Sequence, residues 1–416
     1  MQCANGQAAA VVGLDNTCGS TVGAIYVPSG GSTCSACAVG TCPGTPCAQQ
    51  TCAIGPQPLD APWPMIGHDP EHRSLSPNAG PASTPAVLWA ATGGAFDGVT
   101  IANDGAVFSS ISALGTVTAY DGETGAIRWL KIVPVNGSTT YTIGPAFTVL
   151  GFSQASVLTA FLQSNGIVQS NAYFPFSTYV GDAVLSADGS IMAYSTSTII
   201  YFRTAQTQGQ VYTTATNNSI PTSFSGHTVY STTTGLALFS VAPASGQWTS
   251  ALTTSYGNPA TPSISVGSDM VFVATDQGYV LGLSATTGTV SWATKPCPQA
   301  CAARTRALMA VSADGYSLYV PVSRVGASGY AGVVAVSAST GATKWTLATN
   351  DDARALALDS AGTLFVGDAS GAVFGVRAAT GAVAWTTTVR AAVVSFALGA
   401  NGALYVATNA SLVALR

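Results

Sequence analysis

The sequence predicts an all-β fold: an eight-bladed β-propeller closed by pairing of its N-terminal and C-terminal strands, preceded by a Cys-rich, disulfide-stabilised arm. Three observations lead there. A motif ending in tryptophan recurs along the chain, hairpin-turn dipeptides recur ahead of it, and seven of nine cysteines lie in the first 52 of 416 residues.

The motif runs from a small residue and an apolar one, through four variable positions, to Gly and a Trp four positions later. It reads AYDGETGAIRW at 119–129, GLSATTGTVSW at 282–292, AVSASTGATKW at 335–345 and GVRAATGAVAW at 375–385. Degenerate copies are AFLQSNGIVQS at 160–170 and RTAQTQGQVYT at 203–213, and SVAPASGQW at 240–248 is a shortened one. Trp89, Trp129, Trp248, Trp292, Trp345 and Trp385 occupy the final position or its equivalent. Adding Ser170 and Thr213 gives eight markers, 35 to 53 residues apart. Self-similarity at such a period is the signature of a repeat architecture. The widest spacing contains SRVGASGYAG, read as a longer loop.

Each unit carries a second signal ahead of its motif: NDGAVF at 103–108, ADGSIMAY at 187–194, ADGYSLYV at 313–320, SAGTLFVG at 360–367 and NGALYVAT at 401–408. Asp-Gly and Asn-Gly favour tight hairpins because both residues tolerate positive φ. The short alternating or apolar runs that follow read as strands, and no amphipathic helical period is present. Four short antiparallel strands per unit, repeated radially, describe a propeller. The chain ends at SLVALR, where the eighth unit still lacks its outer strand. PAVLWAAT at 85–92 is an unclaimed copy of that strand, so a closed ring without an open edge is expected.

The tandem unit A-x-D-x-x-T-G-x-x-x-W resembles the quinoprotein-type, pyrroloquinoline-quinone-like propeller repeat, and WPMIGHDPEHRSLSPNAGP at 63–81 is similar to that family's opening segment. The resemblance covers residues 62–416 and implies that the six tryptophans dock neighbouring blades rather than stack on a cofactor. Quinoprotein dehydrogenases share the architecture. The resemblance implies for them a calcium held by carboxylate and amide oxygens, an Asp base, and a vicinal Cys-Cys pair over the quinone. This chain has no adjacent cysteine pair, and its acidic residues fall mostly in turns, as at Asp104, Asp188, Asp314 and Asp359. Turn chemistry alone accounts for those. The acidic doublet Asp351-Asp352 reads as a solvated loop. The expectation is a non-catalytic branch of the family, with no cofactor and no metal.

Residues 1–61 form the arm. Cys3, Cys18, Cys34, Cys37, Cys42, Cys47 and Cys52, in a Gly- and Pro-rich stretch, indicate a disulfide framework in an oxidising compartment. A zinc site on Cys34, Cys37, Cys42 and Cys47 is the competing reading, but structural zinc sites favour well-separated ligand pairs, and the stretch has no His. Seven is odd, so one cysteine is unpaired, reaches the propeller or bridges to another chain. Cys297 and Cys301 are expected to close a local loop, since a turn brings their Cα atoms within bonding range.

Composition narrows the partners. Charged residues make up 7% and net charge is −4, with Lys131, Lys295 and Lys344 far apart. That leaves no basic stripe for nucleic acid. No apolar run is long enough to span a bilayer as a helix. The start, MQCANGQAAA, lacks the pattern of a secretion signal, so the chain is read as a mature or incomplete product. The sequons at Asn136, Asn217 and Asn409 are candidate glycan sites.

His68 and His72, in GHDPEH with Asp69 and Glu71, could in principle hold a metal, but a structural role beside the first blade is preferred; His227 stands apart. No G-x-S-x-G elbow accompanies the histidines. GSTCSACAVG lacks the Lys and helix of a phosphate loop. The expected function is a non-enzymatic extracellular subunit of a surface filament or sheath, with the propeller as body and the arm as connector. Its strand-like pieces AAAVVGL and GAIYV are suited to strand addition. Expected partners are other copies or cell-surface proteins. The alternatives are a cell-surface scaffold or carbohydrate-binding propeller, by analogy with the barrel-assembly scaffold lipoprotein of outer membranes, and a quinone-dependent dehydrogenase.

Overall fold

The computed structural model describes residues 61–416 except 133–140, 145–147, 154–156, 174–183, 187–188, 190, 196–198, 205–209, 216–218, 226–227, 234–236, 243–244, 253–255, 268 and 304–307, together with two strands nearer the N-terminus. Those two, Gln7–Val11 (β1) and Ala24–Pro28 (β2), pair antiparallel with each other. The next described strand is Val87–Thr92 (β3).

Among the described residues the remaining strands form eight antiparallel sheets, each taken in chain order. The first holds Val99–Ile101 (β4), Ala106–Ile111 (β5), Thr116–Asp121 (β6) and Ile127–Ile132 (β7). The second holds Thr142–Gly144 (β8), Thr148–Ser153 (β9), Val157–Leu162 (β10) and Val168–Tyr173 (β11). The third holds Val184–Leu185 (β12), Ile191–Ser195 (β13), Ile199–Thr204 (β14) and Gln210–Ala215 (β15). The fourth holds Ser219–Ser225 (β16), Thr228–Thr233 (β17), Ala237–Ala242 (β18) and Ser245–Ala251 (β19). The fifth holds Pro259–Gly267 (β20), Met270–Thr275 (β21), Val280–Ser284 (β22) and Val290–Thr294 (β23). In the sixth, Cys301–Ala303 (β24) and Ala310–Val311 (β25) both pair with Ser317–Arg324 (β26), followed by Gly332–Ser337 (β27) and Thr343–Ala348 (β28). The seventh holds Ala353–Leu358 (β29), Thr363–Asp368 (β30), Ala372–Arg377 (β31) and Ala382–Thr388 (β32). The eighth holds Val393–Leu398 (β33), Leu404–Thr408 (β34) and Ser411–Leu415 (β35), with β3 as its outer strand through Trp89↔Ala414 and Thr92↔Ser411. Among the described residues there is no α-helix, only a 3-10 turn at Ser112–Leu114.

Strands of successive sheets touch: β4 with β8, β8 with β12, β12 with β16, β16 with β20, β20 with β25, β25 with β29, β29 with β33, and β33 with β4. The middle strands carry the core because both their faces are covered. β5, AVFSSI, is buried at all six positions, and β34, LYVAT, at all five. Such runs lose the in–out alternation of a half-exposed strand and read as continuously apolar or small.

The Asp-Gly and Asn-Gly hairpins fold differently from the tight two-residue turn their sequence suggests. At Ala102–Ala106 the Gly105 amide donates to Ala102 O (3.0 Å) and the Ala102 amide to Ala106 O (2.9 Å), a type I turn closed by a bulge. Only Gly105 takes positive φ (76°), and Asp104 instead accepts the Ala106 amide through Oδ1 (3.0 Å). A three-residue loop needs a left-handed residue at its last position alone, and glycine adopts it without a Cβ clash. Asn401 acts likewise, its Oδ1 accepting the Ala403 amide.

The SRVGASGYAG insertion is only partly a loop. Ser323 and Arg324 prolong β26, and β24 pairs with that extension through Cys301↔Arg324. Cys297 and Cys301 are joined by a disulfide that closes the turn leading into β24.

Candidate functional site

Two features stand out: a buried lead-in segment at 61–81, and a seam of tryptophans between sheets.

The lead-in segment is held by inner strands of widely separated sheets. Trp63 bridges Ile101 of β4, and Pro64 O accepts the Ile143 amide of β8 (2.7 Å). The chain then coils tightly, with the Ser74 amide returning to Gly67 O (2.9 Å). Arg73 O accepts the Val311 amide of β25 (2.9 Å). Leu75 forms a parallel bridge to Leu358 of β29, and Gly80 N donates to Asp359 Oδ2 (3.0 Å). The segment therefore spans from the first and second sheets to the sixth and seventh.

Its coil is costly in backbone terms. His68, His72 and Ser74 have φ of 72°, 53° and 50°, the left-handed region that non-glycine residues occupy rarely. Such conformations persist where surrounding contacts over-determine them. Here Trp63, Met65, His72, Ser74 and Ser76 are almost wholly buried, and the Trp63 ring meets His68 edge-on at 5.1 Å.

The charges of GHDPEH are arranged around Asp69. Its Oδ1 accepts the Arg73 amide and its Oδ2 accepts Arg73 Nε, each at 2.9 Å. Burial pushes the Asp69 carboxyl up, but neighbouring His68 and the Arg73 guanidinium outweigh it and leave it below the ordinary value. Of these two we ascribe the larger part to Arg73, because His68 Nδ1 stands 3.9 Å from Asp69 Oδ2, beyond hydrogen-bonding distance. Glu71 is raised, by burial and then by repulsion from Asp69. His72 is pushed down to about 4 by burial, against the pull of Asp69, so its ring is neutral near pH 7. Among the described residues no three His, Cys, Asp or Glu side chains converge on a position suited to a metal. GHDPEH thus holds the coil together through an ion pair and a buried neutral ring.

The seam repeats one geometry. Trp89 Nε1 of the eighth sheet donates to Gly122 O of the first (2.8 Å), and Trp129 of the first to Gln163 O of the second (2.7 Å). Trp248 of the fourth sheet reaches Ala285 O (3.0 Å), Trp292 of the fifth Ala338 O (2.9 Å), and Trp345 of the sixth Ala378 O (2.9 Å). Trp385 of the seventh sheet closes onto Pro81 O (3.1 Å), just ahead of β3. In five of the six the indole also lies on the glycine of the receiving turn, Gly125, Gly166, Gly288, Gly341 or Gly381, where a Cβ would sit 2.1–2.7 Å from ring atoms. The small residue opening the motif is explained as well. It is the tryptophan's cross-strand partner, and a Cβ at Gly282 or Gly375 would fall 2.4 or 2.2 Å from the indole. Ser170 and Thr213 hold the same register in β11 and β15, opposite Ala160 and Tyr201.

Several carboxylates of the turns accept amides of their own turn through one oxygen. Asp121 Oδ1 accepts the Glu123 and Thr124 amides, and Asp314 Oδ1 the Tyr316 amide. Asp359 Oδ1 accepts Ala361 and Thr363, and Asp368 Oδ1 accepts Ser370 and Ala372. In the acidic doublet, Asp351 accepts the Asp352 amide and Asp352 accepts that of Arg324, tying the loop to β26.

Sequence reasoning missed a group of exposed apolar side chains at sheet edges. Ile127, Leu130 and Ile132 of β7 are 59%, 48% and 76% exposed, and Ile167 and Val168 at the start of β11 are also exposed. The IRWLKI run is apolar on both sides of the strand, which suggests a doubly buried strand. β7 is instead the outermost strand of its sheet. Asn409 lies in an exposed turn, its amide donating to Ala392 O. Asn136, Asn217, Asp188, His227 and the seven arm cysteines lie outside the described residues.

The family model described as outer membrane protein assembly factor BamB matches residues 187–355 and 330–415, together more than half of the chain. No curated protein matches the sequence. Among solved structures, quinohemoprotein alcohol dehydrogenase from Comamonas testosteroni has TM-score 0.67 at 13% identity, over 85% of this chain and 80% of that one. BamB from Moraxella catarrhalis has TM-score 0.59 at 17% identity, over 80% and 99%. The computationally designed Ika8 protein has TM-score 0.65 at 12% identity, over 80% and 100%. Enzymes, an assembly factor and a design share this architecture, so the likeness speaks for fold alone. With its tandem motif, its antiparallel sheets and the span of the match, the chain belongs to the PQQ-type β-propeller repeat family described by the BamB model.

Proposed function

We propose that this chain is a non-catalytic extracellular scaffold that associates with copies of itself. Its body is a ring of eight blades closed by β3, and its connector is the Cys-rich arm of residues 1–61. Contacts running from β4 through successive inner strands back to β4, and the pairing of β3 with β35, support the closed ring. In such a ring the lead-in segment lies across the central channel.

One observation carries the non-catalytic reading: four carboxylates of the described turns each use an oxygen to accept amides of their own turn. A calcium site needs several oxygen ligands converging on one point. Asp121, Asp314, Asp359 and Asp368 are instead dispersed over different turns, each capping its own. The chain also has no adjacent cysteine pair. Among the described residues, these carboxylates therefore do not converge on a site for a pyrroloquinoline quinone held with calcium.

Self-association is supported by the exposed apolar side chains of β7, since exposed apolar surface marks interaction sites. The Cys297–Cys301 disulfide and the cysteine density of the arm support an oxidising compartment. Sedimentation velocity of the full chain across a concentration series, with negative-stain microscopy of the same sample, tests the reading. Concentration-dependent assemblies of ring-shaped particles are expected. A monomer at every concentration, or calcium-dependent dye reduction with added pyrroloquinoline quinone, overturns it.

A further inference from the structure

We infer that the outer edge of β7 is the acceptor for the β1–β2 hairpin of a second copy of this chain. The inference rests on the self-association proposed above and names the surfaces that meet.

The acceptor is an edge strand with an unusual surface. β7 is the last strand of its sheet, so one row of its backbone amides and carbonyls has no strand partner. Such edges are templates for further strands, and proteins usually blunt them with charge, proline or bulges. β7 exposes Ile127, Leu130 and Ile132 together, and among the described residues no other outer strand exposes three large apolar side chains. Leu130 and Ile132, two apart on an extended strand, lie on the same side. β7 does carry Lys131 and a bulge opposite Ala119 and Tyr120, but Arg128 is drawn away from the edge to Asp104 Oδ2 (2.6 Å) and Asp121 Oδ2 (3.0 Å). On the other side of β7, that of Trp129 and Lys131, Gly166 and the exposed Ile167 of the second sheet lie alongside.

The donor has the complementary need. β1 and β2 read QAAAV and AIYVP, with no charged residue, and pair only with each other. An isolated two-stranded hairpin is marginally stable in water and gains from a third strand. Addition to an exposed edge supplies it through main-chain hydrogen bonds, with side chains setting register.

A second copy is favoured as the source. In the single chain the hairpin joins none of the eight sheets and β7 keeps its edge. Donor and acceptor are different surfaces of one chain, so the contact is head-to-tail and propagates unless a ring closes.

The test uses the full chain, with hydrogen exchange followed alongside sedimentation velocity. Wild type is expected to assemble with slowed exchange at 7–11, 24–28 and 127–132. The double variant Leu130→Lys/Ile132→Lys, and separately Ile25→Pro in the hairpin, should each weaken assembly at least about tenfold. The thermal midpoint of the ring should stay unchanged in both. Assembly that survives both variants overturns the inference while leaving self-association standing. A monomer with 7–11 and 127–132 both protected assigns the edge to the chain's own arm and overturns it too. A monomer with neither protected overturns both this inference and the proposed function.

Discussion

Replacing Trp385 by Phe tests the seam where it is most buried. Trp385 is 5% exposed, its indole donates to Pro81 O at 3.1 Å, and its ring packs on Phe365 at 5.9 Å between centroids. Phenylalanine keeps most of the packing but loses the N–H. The Pro81 carbonyl is then left buried without that donor, which costs about 1–3 kcal/mol. The lost ring adds about 1 kcal/mol, for roughly 40 Å³ at about 24 cal/mol per Å³ of residual cavity. The sum is about 2–4 kcal/mol. Trp345→Phe, at a partly exposed seam bonded to Ala378 O, should cost less because water can reach the site. Urea unfolding followed by circular dichroism supplies the comparison, with an unchanged m-value showing that stability alone moved. Hydrogen exchange at Gly80, one residue before Pro81, should quicken in Trp385→Phe. A loss below about 0.5 kcal/mol, or equal losses at both sites, refutes the reasoning that buried indole bonds lock the sheets.

Three further outcomes are expected. The buried neutral ring of His72 stabilises the fold above its unfolded pKa of 6.5, and that contribution falls away as pH drops through about 4. The unfolded chain binds the proton first, so the loss approaches about 3 kcal/mol, and urea midpoints between pH 7 and 4 should decline less steeply in His72→Gln. Asp359→Ala removes the acceptor of the Ala361, Thr363 and Gly80 amides and should destabilise by about 2–3 kcal/mol, with Asn partly restoring it, read by urea unfolding. Gly341→Ala places a Cβ 2.5 Å from the Trp292 ring at φ 72° and should lower stability by about 1–3 kcal/mol, with a change in tryptophan fluorescence.

The repeating parts of the fold were legible because they are local. Trp129 and Gly125 sit four residues apart, and each tryptophan's cross-strand partner lies ten residues back in the full-length copies of the motif, as Ala119 does. The turn geometry was half legible: the glycines mark the bends, but the letters do not say that Asp104 stays in ordinary backbone space and works as an acceptor. The lead-in segment's contacts could not be read at all. Gly80 meets Asp359 across 279 residues, and nothing local to WPMIGHDPEHRSL marks Leu358 as a partner. The exposed apolar edge was hidden for another reason. Ile127 and Val290 hold the same place in their motifs, yet Ile127 is exposed while Val290 packs on a core cluster.

The seam also orders synthesis in time. Trp89, Trp129, Trp248, Trp292 and Trp345 each bond to a residue 33 to 46 positions further along the chain. As the polypeptide leaves the ribosome, each of these indoles waits, uncovered, until the next unit's turn emerges to receive it. Trp385 alone reaches backward, across 304 residues to Pro81, which was made long before. Assembly is thus a series of postponed dockings with a single retrospective one, and a chain halted between one of these tryptophans and its acceptor ends on an exposed indole.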